Sequence, residues 1–361
     1  MFDTITPILQ KGSRIYYINN KNNFDHLRLF LAIGVFFYHT FELTQNNAFS
    51  YFNTYIGTWV VHSFFIISGF LIFMSYERSS SLKSYFEKRL RRIAPAYVIV
   101  IFMSFIFLSF FSTLPAKEYF SSMQSWQYLF SNLSTFNFLQ PMLPGVFSHH
   151  HYSVVNGALW TIKIELMFYL SVPFIVYLYR YFGKTKTLVI IFSLSALYYL
   201  VLDHFSIYYQ QHVFAVLQRQ LPGQMMFFSA GALLYYHHQS FMKYKHLFFL
   251  LAIAMMFTGK YYFFYPLYTV SLSIVVIYIA TAVPYLGHIA KYGDLSYGIY
   301  IWHFPLIQVF ISLHFFDASP WISFASLSIL ILFLAWVSWH FIEKPFLSKK
   351  SHYVQEDRSI L

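Results

Sequence analysis

The chain has 361 residues, 58% of them hydrophobic and only 10% charged, with a mean hydropathy of +0.52. Soluble domains carry about 25% charged residues, so the composition excludes an ordinary globular domain and predicts an all-α, polytopic membrane protein. The absence of cysteine excludes disulfides, thiol nucleophiles and thiolate metal sites.

About ten apolar stretches approach the ~20 residues that cross a bilayer. They are 24–41, 56–75, 93–113, 158–179, 187–202, 221–236, 246–259, 264–283, 295–316 and 322–342, the fifth and seventh being short. With the N-terminus inside, 20 of the 24 Lys and Arg residues fall on the cytoplasmic side and three, Lys117, Arg219 and Lys260, in outer loops. That asymmetry follows the positive-inside rule and predicts that both termini are cytoplasmic. It also accounts for the net charge of +11 with no nucleic-acid partner. Residues 1–23 read as a cytoplasmic segment, 24–346 as one membrane domain and 347–361 as a cytoplasmic tail. No small-residue cleavage site follows the first span, which reads as a retained helix and not as a signal peptide.

The first span carries Arg28 and His39 with ten residues between them. Eleven steps make about three helical turns and a rise of roughly 16 Å, so the two side chains share a face at different depths. Ionisable groups in a membrane are costly and are kept mainly for use. His39 reads either as a hydrogen-bonding link between helices or as a general base. Arg28 reads either as a positive-inside anchor, paired with Asp25, or as the mouth of an anion site. In the second span, Ser68-Gly69-Phe70 reads as a close helix contact or as a place where a narrow ligand passes the backbone. Lys88, Arg89, Arg91 and Arg92 then precede the third span. They read as topology determinants touching anionic lipid, or as a phosphate clamp.

The long outer stretch 112–156 carries His149-His150-His151, which do not share a face and read as a solvated loop, with no metal. Glu165 is the sole carboxylate in the interior of a predicted span. It reads as an interhelical ion-pair partner or as the group that orients an imidazole. Residues 295–305 combine Gly298, Pro305 and the polar tips of Tyr297 and His303 on one helix. Breaks of this kind are tolerated in membranes mainly where they line a cavity.

Taken in order, six motifs resemble the membrane-embedded acyltransferase family 3, whose members include O-acetyltransferases of cell-envelope polysaccharides. They are Arg28…His39; the phenylalanine-rich Ser-Gly-Phe helix at 64–72; Arg92-Ile93-Ala94-Pro95-Ala96-Tyr97 after its basic run; Trp160 to Tyr169; Ser296 to Pro305; and Glu343-Lys344-Pro345. The resemblance spans 24–346. His26 departs from it, standing where the family usually has a small residue. No esterase-like extracellular domain of the kind some members carry is found, so transfer is expected to finish in the membrane domain or on a separate partner.

The resemblance implies an O-acyltransferase of the bacterial inner membrane. Acetyl-CoA, or another acyl-CoA, would be the donor, and an envelope polysaccharide or lipid-linked sugar the acceptor. It implies phosphate contacts from Arg28, Arg89 and Arg92, and a donor site that includes Ser68, Tyr297 and His303. His39 would be the catalytic base or a transient acyl carrier, with Glu165 holding its imidazole and Arg28 completing the site. Acceptor specificity would lie in 112–156 and 203–220. The alternative is a multi-pass transporter or flippase in which His39 and Glu165 relay protons. Transporter halves often repeat, and this sequence has no internal repeat.

Overall fold

Phe-, Leu- and Ile-rich runs find no water in hydrocarbon for their backbone groups, so each run closes its hydrogen bonds within a helix. The computed structural model describes residues 21–52, 54–258 and 265–348. Most of the predicted segments 1–23 and 347–361 lies outside them, as do Lys11, Arg14, Lys260, Lys349, Lys350 and Arg358 of the charge argument.

The helices are α1 (Phe24–Thr44), α2 (Thr54–Glu77), α3 (Leu82–Phe107), α4 (Ala116–Ser121) and α5 (Met123–Leu133). Then come α6 (Leu159–Phe182), α7 (Lys184–Tyr209), α8 (His212–Gln218), α9 (Leu221–Tyr236) and α10 (His238–Lys243). The last are α11 (Lys245–Thr258), α12 (Tyr265–Thr281), α13 (Ser296–Ser312), α14 (Phe315–Ala318) and α15 (Pro320–Val337), which continues as a π-helical turn over Ser338–Glu343. No β-strand occurs among the described residues, only one antiparallel bridge between Ser112 and Val146.

Among the described residues, six helical segments are long and apolar enough to cross a membrane: Phe24–Thr44, Asn47–Glu77, Leu82–Phe111, Leu159–Phe182, Lys184–Tyr209 and Pro320–Phe346. The other four predicted spans are helices of 16, 14, 17 and 17 residues, α9, α11, α12 and α13. The stretch read as short at 187–202 is in fact a 26-residue helix. Its ends carry Lys184, Lys186 and Asp203, which lower hydropathy without breaking a helix. For the same reason α3 begins at Leu82, and the basic cluster rides on the helix instead of preceding it.

Two compact units are distinguished. The first contains the segment ending at Leu27, His62–Glu87 and Ile164–Gly287. In it α2 and α9 meet backbone to backbone: a Cβ on Gly69 would lie 1.9 Å from the Phe228 carbonyl oxygen, and one on Gly231 2.0 Å from that of Ile66. Gly69 therefore serves close helix packing. Phe168 stacks on Phe228 at 4.2 Å beside this contact. Asn23, 1% exposed, fastens the chain leaving α12: its side chain donates to the Val283 and Pro284 carbonyls and accepts from the Leu286 amide. Glu77 accepts from Lys184 and from the Tyr235 hydroxyl, both at 2.8 Å.

The second unit contains Arg28–Val61, Lys88–Lys163 and the segment opening at His288. Rings of Phe36, Phe37, Phe49, Phe52, Trp321 and Phe324 pack α1 against α15. Gly298 lets α13 approach Ala335 of α15, whose Cα would lie 2.7 Å from an added Cβ. The stretch read as a loop at 112–156 is a folded lobe. The Tyr119 hydroxyl donates to the Phe105 carbonyl, and the Tyr97 hydroxyl to that of Asn132. Thus α5 runs back along α3, burying Ser125, Tyr128, Leu129 and Asn132. The Asn132 side chain donates to the Tyr128 and Gln140 carbonyls, so the turn beyond α5 keeps its polar groups paired.

Candidate active site

Pro305 lies inside α13 and has no amide hydrogen, which leaves the Ile301 carbonyl four residues earlier without its helical donor. Asn156 supplies one: its Nδ2 donates to the Ile301 oxygen at 3.0 Å, while its Oδ1 accepts from the Ala158 amide at the start of α6. One buried side chain therefore repairs α13 and caps α6. On the same turns of α13, the Tyr300 hydroxyl bonds to Thr161 and to the Ala158 carbonyl. These contacts fix the helix that carries His303.

His303 is fully buried. Its Nδ1 lies 3.1 Å from the Ile299 carbonyl and its Nε2 lies 2.8 Å from Nδ1 of His39. The two rings are tilted by only 20° with centroids 5.0 Å apart, the geometry of imidazoles joined nitrogen to nitrogen nearly in one plane. Phe304 stands edge-on to His39 at 5.1 Å, and Tyr38 flanks it at 4.9 Å. His39 keeps part of its surface open, and its Nε2 has no hydrogen-bond partner among the described residues. A buried pair thus presents one accessible ring nitrogen, a suitable proton acceptor for a hydroxyl.

Arg28 lies in the second turn of the same unbroken helix as His39. Glu165 accepts hydrogen bonds from the Ser68 hydroxyl at 2.8 Å to each carboxylate oxygen. Nδ1 of His39 is held by the His303 imidazole. Arg89 stands one turn before Arg92 on α3. Arg92 is engaged by two carboxylates, Asp294 and Glu343, and lies over the Trp339 ring at 5.4 Å. Asp294 also accepts from the amide and hydroxyl of Ser296 at the start of α13, where negative charge suits the helix end. Ser338 donates to Glu343 at 2.9 Å. The Tyr297 hydroxyl donates to the Ile93 carbonyl of α3 at 3.0 Å.

Asp294 and Asn156 played no part in the sequence reading. Asp294 was legible as an acid two residues before a helix-opening serine. Asn156 was not, because only the fold puts it beside Ile301. His150, in the histidine run, bonds to Gln308 and Ser312 of α13. Among the described residues no group of three His, Asp or Glu side chains is arranged to hold a metal.

Long apolar helices and a buried imidazole pair define a multi-pass membrane protein with the means to activate a hydroxyl. The chain matches the Acyl_transf_3 family model, described as an acyltransferase domain, over residues 21–340, and it belongs to that family. It is 28% identical to nodulation protein 10 of Rhizobium leguminosarum bv. viciae, covering 94% of this chain and 97% of the relative. It is 26% identical to the O-acetyl transferase of Shigella phage Sf6, covering 92% and 98%. With O-acetyltransferase OatA of Staphylococcus aureus it shares 24% identity over 95% of this chain and 60% of the relative. No solved structure matches it significantly.

Proposed function

We propose that this protein is an O-acetyltransferase of the bacterial inner membrane, with about ten spans and both termini cytoplasmic. It takes the acyl group from cytoplasmic acetyl-CoA and places it on a hydroxyl of an envelope polysaccharide or lipid-linked sugar. The observation that carries this reading is the accessible Nε2 of His39 on the helix that also carries Arg28. The phage relative named an O-acetyl transferase, which this chain matches nearly end to end, supports the acyl group and the oxygen acceptor.

His39 takes the proton of the acceptor hydroxyl as its oxygen attacks the thioester carbonyl. The carbon–sulfur bond breaks, and the departing thiolate takes the proton back from His39. Arg28 and Arg89 meet the donor phosphates, and the pantetheine arm extends over the roughly 16 Å that eleven helical residues rise. Arg92 joins them while holding Asp294 and Glu343 in place. The family resemblance assigns Ser68, Tyr297 and His303 to donor binding and gives Glu165 the role of an acid that stabilises a catalytic imidazolium. Membranes bearing wild type, His39→Ala or Arg28→Ala, fed labelled acetyl-CoA, test this. Label should enter glycan with wild type and fall to background with His39→Ala, and Arg28→Ala should raise KM for the donor. Undiminished transfer by His39→Ala would refute the assignment.

A further inference from the structure

The two rings and the Ile299 carbonyl leave a single consistent proton arrangement. A carbonyl oxygen only accepts, so Nδ1 of His303 must be the donor to Ile299. A neutral imidazole then carries its lone pair on the other nitrogen, so Nε2 of His303 accepts. The atom 2.8 Å from it, Nδ1 of His39, must therefore carry the hydrogen. It follows that the lone pair of His39 sits on Nε2, the nitrogen with no partner among the described residues.

We propose that His303 is a positioning residue that locks His39 in the tautomer with Nδ1 protonated and Nε2 free to act as base. The proposal rests on the reading of His39 as the base. The anchor of this relay is a main-chain carbonyl. Ile299 is one turn before His303, so the helix fixes its oxygen under the ring. Pro305 and Asn156 hold the following turn of α13. His303 has no exposed surface, so the nitrogen that orients His39 is shielded from competing partners. When His39 takes a proton on Nε2, its Nδ1–H still points at the His303 lone pair. The new charge therefore forms against an acceptor already aimed at it.

Full-length protein carrying [15N]histidine in lipid nanodiscs allows a direct test by solid-state NMR, with the His39 signals identified by their loss in His39→Ala. In wild type, His39 should show a protonated Nδ1 and an unprotonated Nε2. His303→Leu should convert it to a mixture of tautomers and lower acetyl-CoA turnover by about 10²-fold or more, by analogy with loss of an imidazole orienter. His303→Gln places an oxygen where Nε2 stood, and should restore the Nδ1–H tautomer and at least tenfold of the lost turnover. A wild-type His39 protonated on Nε2, or a His303→Leu tautomer identical to wild type, would overturn the proposal. Equal loss in Leu and Gln variants with no change of tautomer would also overturn it, leaving His303 a packing residue. The spectroscopic arm needs no acyl transfer, so a wild type that transfers nothing would sink the proposed function and leave this question still decided by NMR.

Discussion

Replacing Asn156 by alanine should unbalance α13 in a way a second substitution reverses. Asn156 is 7% exposed and makes two bonds, to the Ile301 carbonyl and from the Ala158 amide. An unpaired buried carbonyl costs about 1–3 kcal/mol, and a lost helix cap about 0.5–2 kcal/mol. Asn156→Ala should therefore destabilise the protein by roughly 2–4 kcal/mol. Pro305→Ala returns an amide hydrogen to the Ile301 oxygen, so on that background Asn156→Ala should cost only the cap. The coupling is then about 1–3 kcal/mol, well beyond the ~0.5 kcal/mol scatter of independent sites. Unfolding midpoints of the four proteins in a single mixed-micelle denaturant series measure it. Strict additivity would show that the Ile301 oxygen is not the reason for the Asn156 bond, and the repair argument would fail.

Two further substitutions probe the packing and the charge cluster. Gly69→Ala forces a Cβ to within 1.9 Å of a backbone oxygen that cannot swing aside. Thermal unfolding should register a loss at or above the roughly 1–3 kcal/mol of ordinary overpacking. Gly183→Ala meets nothing within 4 Å, and at φ +75° and ψ 162° it should cost only the ~1–3 kcal/mol of a backbone region reserved for glycine. Wild-type stability in Gly69→Ala would contradict the close helix crossing. Arg92→Met would leave Asp294 and Glu343, whose side chains are 3% and 1% exposed, facing each other without a counter-charge. A loss of about 3–5 kcal/mol is expected, with Arg92→Lys retaining more stability than Met. Wild-type stability in Arg92→Met would mean that the cluster holds nothing together.

Much was legible from residue order alone. Hydrophobic runs of membrane length fixed the helical class, because hydrocarbon leaves the backbone no other way to pair its polar groups. The eleven-residue spacing put Arg28 and His39 on one face of α1, since helical periodicity is a property of the chain itself. The six ordered motifs carried the family. What residue order left open was which polar groups meet. That His303 sits against Nδ1 of His39 depends on which helix face α13 turns inward, and nothing local to either residue states that. Residue order offered Arg92 as a phosphate ligand and gave no sign that folding would also bring Asp294 and Glu343, 202 and 251 residues away, onto its guanidinium. The stretch 112–156 reads as an outer loop in the sequence because its apolar residues follow no long run. Tertiary packing made it a lobe, with Tyr97 of α3 capturing the Asn132 carbonyl of α5 and Tyr119 of α4 that of Phe105 in α3. Helix formation is a local contest between backbone and solvent, whereas pairing of buried polar groups is settled only when distant segments exclude water together.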